Sequence, residues 1–300
     1  MHLIGLYLSK ENIPMELSRY VKEVYSEVKT HFVSWVKSLG YEFIPLIWVP
    51  KAHDHRLGVV NLWGERTLFA FNNSGCINNP HIRHRVKEVM ESIVNELDVK
   101  AVILDALRFP SPHDGKSLFS CFCEFCYRKA REIGIDLDDV MRGLKVMIKN
   151  LSKYPHIDPR IMRSIILWIE LRQESVKSFL IELRDKSNEL GIELWAAVFP
   201  PSISWIVGQN YDILTRYLDE LHVMIYHKCR GAACLNHELA SLMKLMMNIG
   251  DINEHIAKFV ASIMTGINVS NNVSRLEELG IDIATALFEV ERSRSIIGDK

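Results

Sequence analysis

Eight short apolar runs alternate with amphipathic segments along this chain, and few folds tolerate that arrangement. The runs are HLIGLYL (2–8), FIPLIWV (43–49), TLFAFNN (67–73), KAVILDAL (100–107), ELWAAVF (193–199), ELHVMIYH (220–227), FVASIMT (259–265) and IATALFE (283–289). Strands apolar on both faces belong to parallel sheets covered on each side by helices. The intervening segments, such as VKEVMESIVNEL (86–97) and VKSFLIELRDKSNEL (176–190), carry apolar residues at helical spacing. Eight such repeats predict an α/β fold, a (β/α)8 TIM barrel. The rival, an open doubly wound sheet, would want a G-x-G-x-x-G turn after an early strand, and the sequence has none.

One barrel accounts for the whole chain. A (β/α)8 barrel takes about 250 residues, and the 300 residues here leave room for one elaborated loop after strand 4. That loop covers residues 108–192, with a helix expected near 136–151, a break at KYPHIDP (153–159) and a long helix from about 160 to 190. No internal repeat or low-complexity linker marks a second unit, so residues 1–300 read as a single domain. Charge is balanced, 36 basic against 37 acidic residues. No basic stripe appears, which argues against a nucleic-acid partner. No run approaches the roughly 18 apolar residues of a membrane span, and the N-terminus lacks the n- and h-regions of a secretory signal. These features predict a cytoplasmic protein, in which the six cysteines read as metal ligands or free thiols rather than a disulfide framework.

Three of those cysteines crowd into one turn. Cys121, Cys123 and Cys126 follow the pattern C-x-C-x-x-C just before the helical segment EFCYRKAREIG. A structural zinc takes four thiolate or imidazole ligands in a tetrahedron. Cys76, in NNSGCINNP just past the third run, would emerge at the same end of the barrel and supplies the fourth ligand. Cys229 and Cys234 lie after the sixth run and are poorer partners. The alternative is a set of reduced thiols in an apolar loop whose cargo is Phe119, Phe122 and Phe125. The spacing is not that of a ferredoxin-type iron–sulfur cluster.

A cysteine after the third strand followed about 45 residues later by C-x-C-x-x-C resembles the structural zinc site of glycoside hydrolase family 42 β-galactosidases. The surroundings also resemble a broad group of hypothetical (β/α)8 glycoside hydrolases. In that group strand four ends in D-x-x-R-[FY]-P, here DALRFP from Asp105, and may run on to C-[FY]-C-x-x-C. WIELRQESVKSFLIELR and WAAVFPP match its later features. The resemblance covers roughly residues 65–230 and implies a barrel that acts on glycosidic bonds. The Asn-Glu acid/base pair of family 42 is replaced at this strand end by Asp105.

Active sites of such barrels lie at the carboxyl ends of the strands. The residues found there are Trp48, Asn72, Asp105, Arg108, Tyr226, His227 and Glu289. Asp105 closes an apolar strand, where a carboxylate is costly unless paired or functional. As a functional group it would be the nucleophile or base at an anomeric carbon, with Glu289 facing it across the mouth as the acid. As a structural group it would pair with Arg108. Trp48, Asn72, Arg108, Tyr226 and His227 would bind sugar hydroxyls or stack on sugar faces; Trp195, at the start of its strand, reads as core, and Arg172 as either a matched group residue or a solvated one. His53-Asp54-His55 follows the second run, not the first strand that carries H-x-H in metal-dependent barrels. The chain therefore reads as a glycoside hydrolase with a carbohydrate ligand and a structural zinc on Cys76, Cys121, Cys123 and Cys126. A catalytically silent carbohydrate-binding barrel and a metal-dependent hydrolase of small amides or esters are the alternatives.

Overall fold

The structure is a computed structural model describing residues 4–8, 10–13, 15–18, 20–153 and 159–298. Its centre is one six-stranded sheet of β1 (Ile4–Tyr7), β2 (Val21–Ser26), β3 (Glu42–Trp48), β6 (Ala101–Asp105), β7 (Glu193–Val198) and β8 (Glu220–Val223). A short antiparallel pair, β4 (Val59–Val60) and β5 (Arg66–Thr67), lies outside it. The sheet order is β1-β2-β3-β6-β7-β8, and every pairing is parallel. Successive strands therefore always add on the same side, as in a barrel. A doubly wound sheet would reverse direction at a switch point.

The sheet curls. Six flat strands would hold their edges about 24 Å apart at roughly 4.8 Å per strand. Here the hydroxyl of Tyr7 on β1 stands 2.7 Å from Nδ1 of His222 on β8. The inward side chains Tyr25, Ile44, Ala101, Ile103, Trp195 and Ala197 form one cluster inside the curl. The outward ones, among them Ile47, Val102, Leu104, Leu194 and Val198, pack against the helix Pro80–Glu96 and the 32-residue helix Pro159–Leu190. The result is a half-barrel built from six strands.

Five of the eight expected strands are in this sheet, and the first two residues of the 2–8 run lie outside the described residues. The other three are not. Residues 67–73 leave β5 for a turn in which Ala70, Phe71 and Asn72 all have positive φ. Residues 259–265 end the helix Glu254–Thr265, and residues 283–289 begin the helix Ile283–Ile297. Both helices read as strands because their exposed faces are apolar too: Phe259, Ile263, Leu287 and Phe288 are all exposed. Conversely, VKEVYS was not expected as a strand. Its Lys22 and Glu23 break the apolar run, yet it forms β2 with Lys22 outward and Glu23 paired to Lys100. The helices expected at 136–151 and 160–190 appear as Leu137–Lys149 and Pro159–Leu190. Among the described residues no helix is long and apolar enough to cross a membrane.

Candidate functional site

The two cysteine segments converge. Cys76 is set by its own N–H on the Leu57 carbonyl and by the cap of the next helix, where Asn79 accepts from the His81 N–H ahead of Pro80. Cys123 caps the helix Glu124–Glu132, and Cys126 lies in its first turn. All four thiols are buried, and their sulfurs lie within 4.8 Å of one another. The Cys76 sulfur is 3.4 Å from that of Cys126 and 3.6 Å from that of Cys123. A disulfide would need about 2.05 Å. Thiolates around a tetrahedral zinc, with Zn–S near 2.3 Å, stand about 3.8 Å apart. The backbone N–H of Val60 and the amide of Asn78 donate to the Cys121 and Cys126 sulfurs at 3.4 and 3.3 Å. The chemistry of this cradle fits a thiophilic cation.

The long helix behind it fixes the geometry. Trp168 donates to the Ser120 carbonyl at 2.9 Å, and Asn78 to the hydroxyl of Ser175 at 2.9 Å. Arg172, which the sequence leaves as either a matched group residue or a solvated one, is fully buried. Its guanidinium donates to the carbonyls of Ser120, Leu118, Pro110 and Ile206 and lies 3.9 Å from the Trp168 ring centre. Cys229 and Cys234 stand apart from the cradle, as expected, but they are joined in a disulfide and are neither ligands nor free thiols. They clasp the loop that leads from β8 into the helix Leu235–Gly250.

At the other feature of interest, alternation settles which way Asp105 points. Ala101 and Ile103 face the interior, so Asp105, two residues on, faces the mouth at the carboxyl end of β6. Trp48 pairs with Asp105 in register and, two residues beyond Leu46 and four beyond inward Ile44, faces the same way. Burial raises the Asp105 carboxyl above its ordinary range, the positive charge of Arg108 lowers it, and Glu27 just past β2 raises it again. Among the described residues no side chain hydrogen-bonds this carboxylate. Tyr7 and Tyr226 are near enough to feel its charge, and burial with that charge pushes both phenols upward. A cavity of about 350 Å³ lies between the end of β3 and the helix Pro80–Glu96, lined by Glu27, Trp48, Lys51 and Arg85 among others.

The remaining sequence-selected residues divide. Trp48 reaches the mouth with its indole N–H donating to Ser74 at 2.8 Å. Asn72 is on the left-handed turn beside Phe71, which is 61% exposed and touches the rim at His113. Tyr226 and His227 are exposed after β8. Arg108 does not pair with Asp105 as its structural alternative required. It is buried, bonded to the Phe109 carbonyl and paired with Asp114 at 3.3 Å. Glu289 does not close a strand and does not face Asp105 from one. It is buried on the helix Ile283–Ile297, where it accepts from the Ser202 N–H at 3.0 Å, with Arg292 at 3.6 Å. His53 and His55 flank Asp54, which caps a short turn and pairs with Arg56. Sequence reasoning did not reach Tyr7, Glu27, His222 or Glu238. Glu27 was hidden with its strand. His222 carried no signal, because its neighbours come from β1 and β2, about two hundred residues away in the chain.

No known family profile matches the chain, and no curated protein sequence matches it. Solved structures do. The PgaB (BpsB) glycoside hydrolase domain from Bordetella bronchiseptica superposes with a TM-score of 0.52 at 11% identity, covering 100% of this chain and 99% of that one. A β-galactosidase from Bacillus circulans sp. alkalophilus gives 0.47 at 9% identity over 92% of this chain and 51% of that one. A chitinase from Rhizomucor miehei gives 0.39 at 13% identity over 88% and 64%. The chain thus spans about half to two thirds of the latter two and nearly all of the first. The PgaB domain shares its fold.

Proposed function

We propose that the chain is a glycoside hydrolase-like half-barrel that acts on a glycosidic bond at its strand-end mouth, with Asp105 as a reacting carboxylate. The observation that carries this reading is the inward carboxyl of Asp105 at a strand end, in register with Trp48, bonded by the Ala106 backbone but by no side chain among the described residues, with Tyr7 and Tyr226 near enough to feel its charge. Aromatic faces suit pyranose rings, and a carboxyl held above its ordinary range by burial suits proton transfer. The fold shared with the PgaB glycoside hydrolase domain supports the reaction class. Glycoside hydrolysis uses two carboxyl groups. Glu27, which lines a cavity with Trp48 and acts on Asp105 through its charge, is our choice for the second, in preference to Glu289 on its outer helix. Asn72, Tyr226 and His227 at the rim are assigned to the sugar; buried Arg108 holds the floor through Asp114.

Cys76, Cys121, Cys123 and Cys126 would hold a structural zinc, as the resemblance to the family-42 site implies. When bound, it would cross-link the loop after β5 to the one after β6. The test is release of reducing ends across a panel of β- and α-linked oligosaccharides. Activity on one of them that falls at least a hundredfold in Asp105→Asn, with the fold intact by circular dichroism, supports the reading. Full turnover in the variant would remove it. Metal analysis should find one zinc per chain, lost in Cys123→Ser.

A further inference from the structure

Phe71 is an exposed ring on the turn that leaves β5, where Ala70, Phe71 and Asn72 all have positive φ. Asparagine adopts that backbone readily, whereas a bulky side chain is an outlier there. The turn is bolted from both sides all the same. Phe69 and Ser74 exchange backbone hydrogen bonds at 3.0 and 3.1 Å. The Ser74 hydroxyl takes the indole N–H of Trp48, the β3 residue in register with Asp105. The Ala70 N–H donates at 2.8 Å to Asp114, which pairs with Arg108 shortly past Asp105.

Two further loops close on the ring. The His113 imidazole, in the loop after β6, is 6.2 Å away, and His237 stands 6.0 Å from His113. At the ring edge is the loop after β8, which the Cys229–Cys234 disulfide clasps. Its Gly231 has φ +119°, a backbone that side chains rarely adopt, and a Cβ there would stand 3.2 Å from the Phe71 ring. The loop backbone thus lies against the aromatic edge. Glu238 joins the two loops, accepting from the backbone N–H groups of His113 and Ala233. Loops from the carboxyl ends of β3, β6 and β8 therefore converge on one ring whose face stays open. Asn72, His113 and His237 surround it with polar groups. An apolar face inside a polar rim suits a pyranose, whose C–H face stacks while its hydroxyls reach outward.

We propose that Phe71 is the stacking platform of a second sugar subsite, held in place by the Cys229–Cys234 loop, so that the ligand is an oligosaccharide reaching from Phe71 to Asp105. The proposal rests on the reading of the chain as one that acts on glycosidic bonds. Phe71 takes no part in the bond change; it sets the length of sugar that binds. Phe71 and Ser74 are separated by at most about 11 Å of chain, and Ser74 touches Trp48. The platform is thus within reach of a sugar unit next to the one at Asp105.

The test is isothermal titration of the whole chain, and of Asp105→Asn, with cello-, malto- and chito-oligosaccharides from dimer to hexamer. The expected result is an affinity for one series that rises with length. Phe71→Asn should erase that rise, weakening hexamer binding about tenfold and leaving dimer binding unchanged. Its melting temperature should match or exceed the parent's, because asparagine suits the left-handed backbone. Phe71→Trp should restore the length dependence. Replacing both Cys229 and Cys234 with serine should weaken hexamer binding as Phe71→Asn does. Hexamer affinity unchanged in Phe71→Asn, affinity lost only together with the fold, or no length dependence in the parent overturns the proposal. Titration needs no turnover, so the two readings separate. Full activity in Asp105→Asn would remove the reacting carboxylate and leave the platform standing, whereas parent-like binding in Phe71→Asn would remove the platform alone.

Discussion

Glu238 shows what a single buried carboxyl does to this fold. It is fully buried at the start of the helix Leu235–Gly250 and accepts from the Ser111 hydroxyl and the backbone N–H groups of His113 and Ala233. It thereby ties the loop after β6 to the loop after β8. Burial is the largest cause of its raised pKa, about 7, against the pull of Arg108 and with the push of Asp114. A carboxyl whose folded pKa exceeds its unfolded one binds more protons when folded, so its contribution to stability falls as pH rises. The window runs from the unfolded value near 4.3 up to about 7. Thermal melts at pH 5 and pH 7.5 should therefore differ less in Glu238→Gln than in the parent. An unchanged difference would place the titration elsewhere. The same reasoning separates Phe71 from its neighbours. An exposed ring on three consecutive left-handed residues, none of them glycine, is held at a cost of about 1–3 kcal/mol per residue, which is more readily understood at a ligand rim than on an idle turn.

At the scale of elements, the cysteine loop depends on the helix behind it. Arg172 has no carboxylate among its hydrogen-bond partners and is satisfied by four carbonyls from the loops after β6 and β7. Arg172→Met should lower stability by about 3 kcal/mol, because several buried acceptors lose their donor at once. Hydrogen exchange should quicken first at residues 118–126, and Cys76→Ser should give the same pattern. Uniform quickening across the sheet in either variant would show that the loop is not a separate unit. The sequence announced this loop well. C-x-C-x-x-C and the lone Cys76 are local patterns that converge although the run before Cys76 is a turn rather than a strand of the sheet. It announced Asp105 for a similar reason, since it ends an unbroken apolar strand. Glu27 and β2 were illegible because Lys22 and Glu23 interrupt the run, and Glu23 is accommodated only by Lys100, about eighty residues away. The pairing of Cys229 with Cys234 was set aside on an argument about compartment, although a separation of five residues permits it.

The expectation of eight strands and the six-stranded half-barrel differ in part over what lies beyond β8, and the last helix tests that difference. Ile283–Ile297 is inverted: Glu289 and Ser293 are buried, whereas Ile283, Leu287, Phe288 and Val290 are exposed. One Glu289 oxygen accepts from the Ser202 N–H while the other, without a hydrogen bond, lies 3.6 Å from Arg292, and the Ser293 hydroxyl donates to the Glu289 carbonyl. The run of apolar residues on its exposed face is what makes this segment look like a strand closing a barrel. In a closing strand Phe288 would be buried between sheet and helices, and replacing it with lysine would cost several kcal/mol. On this helix Phe288→Lys should change stability by no more than about 0.5 kcal/mol, the range of ordinary surface substitutions. Glu289→Ala should cost about 1–3 kcal/mol, because the buried Ser202 N–H loses its acceptor. Urea unfolding of the two variants gives both values. A large loss from Phe288→Lys with little from Glu289→Ala would restore a strand here and close the barrel. The opposite ranking leaves the seam between β1 and β8 open, with Tyr7 and His222 as the contact that holds its edges together.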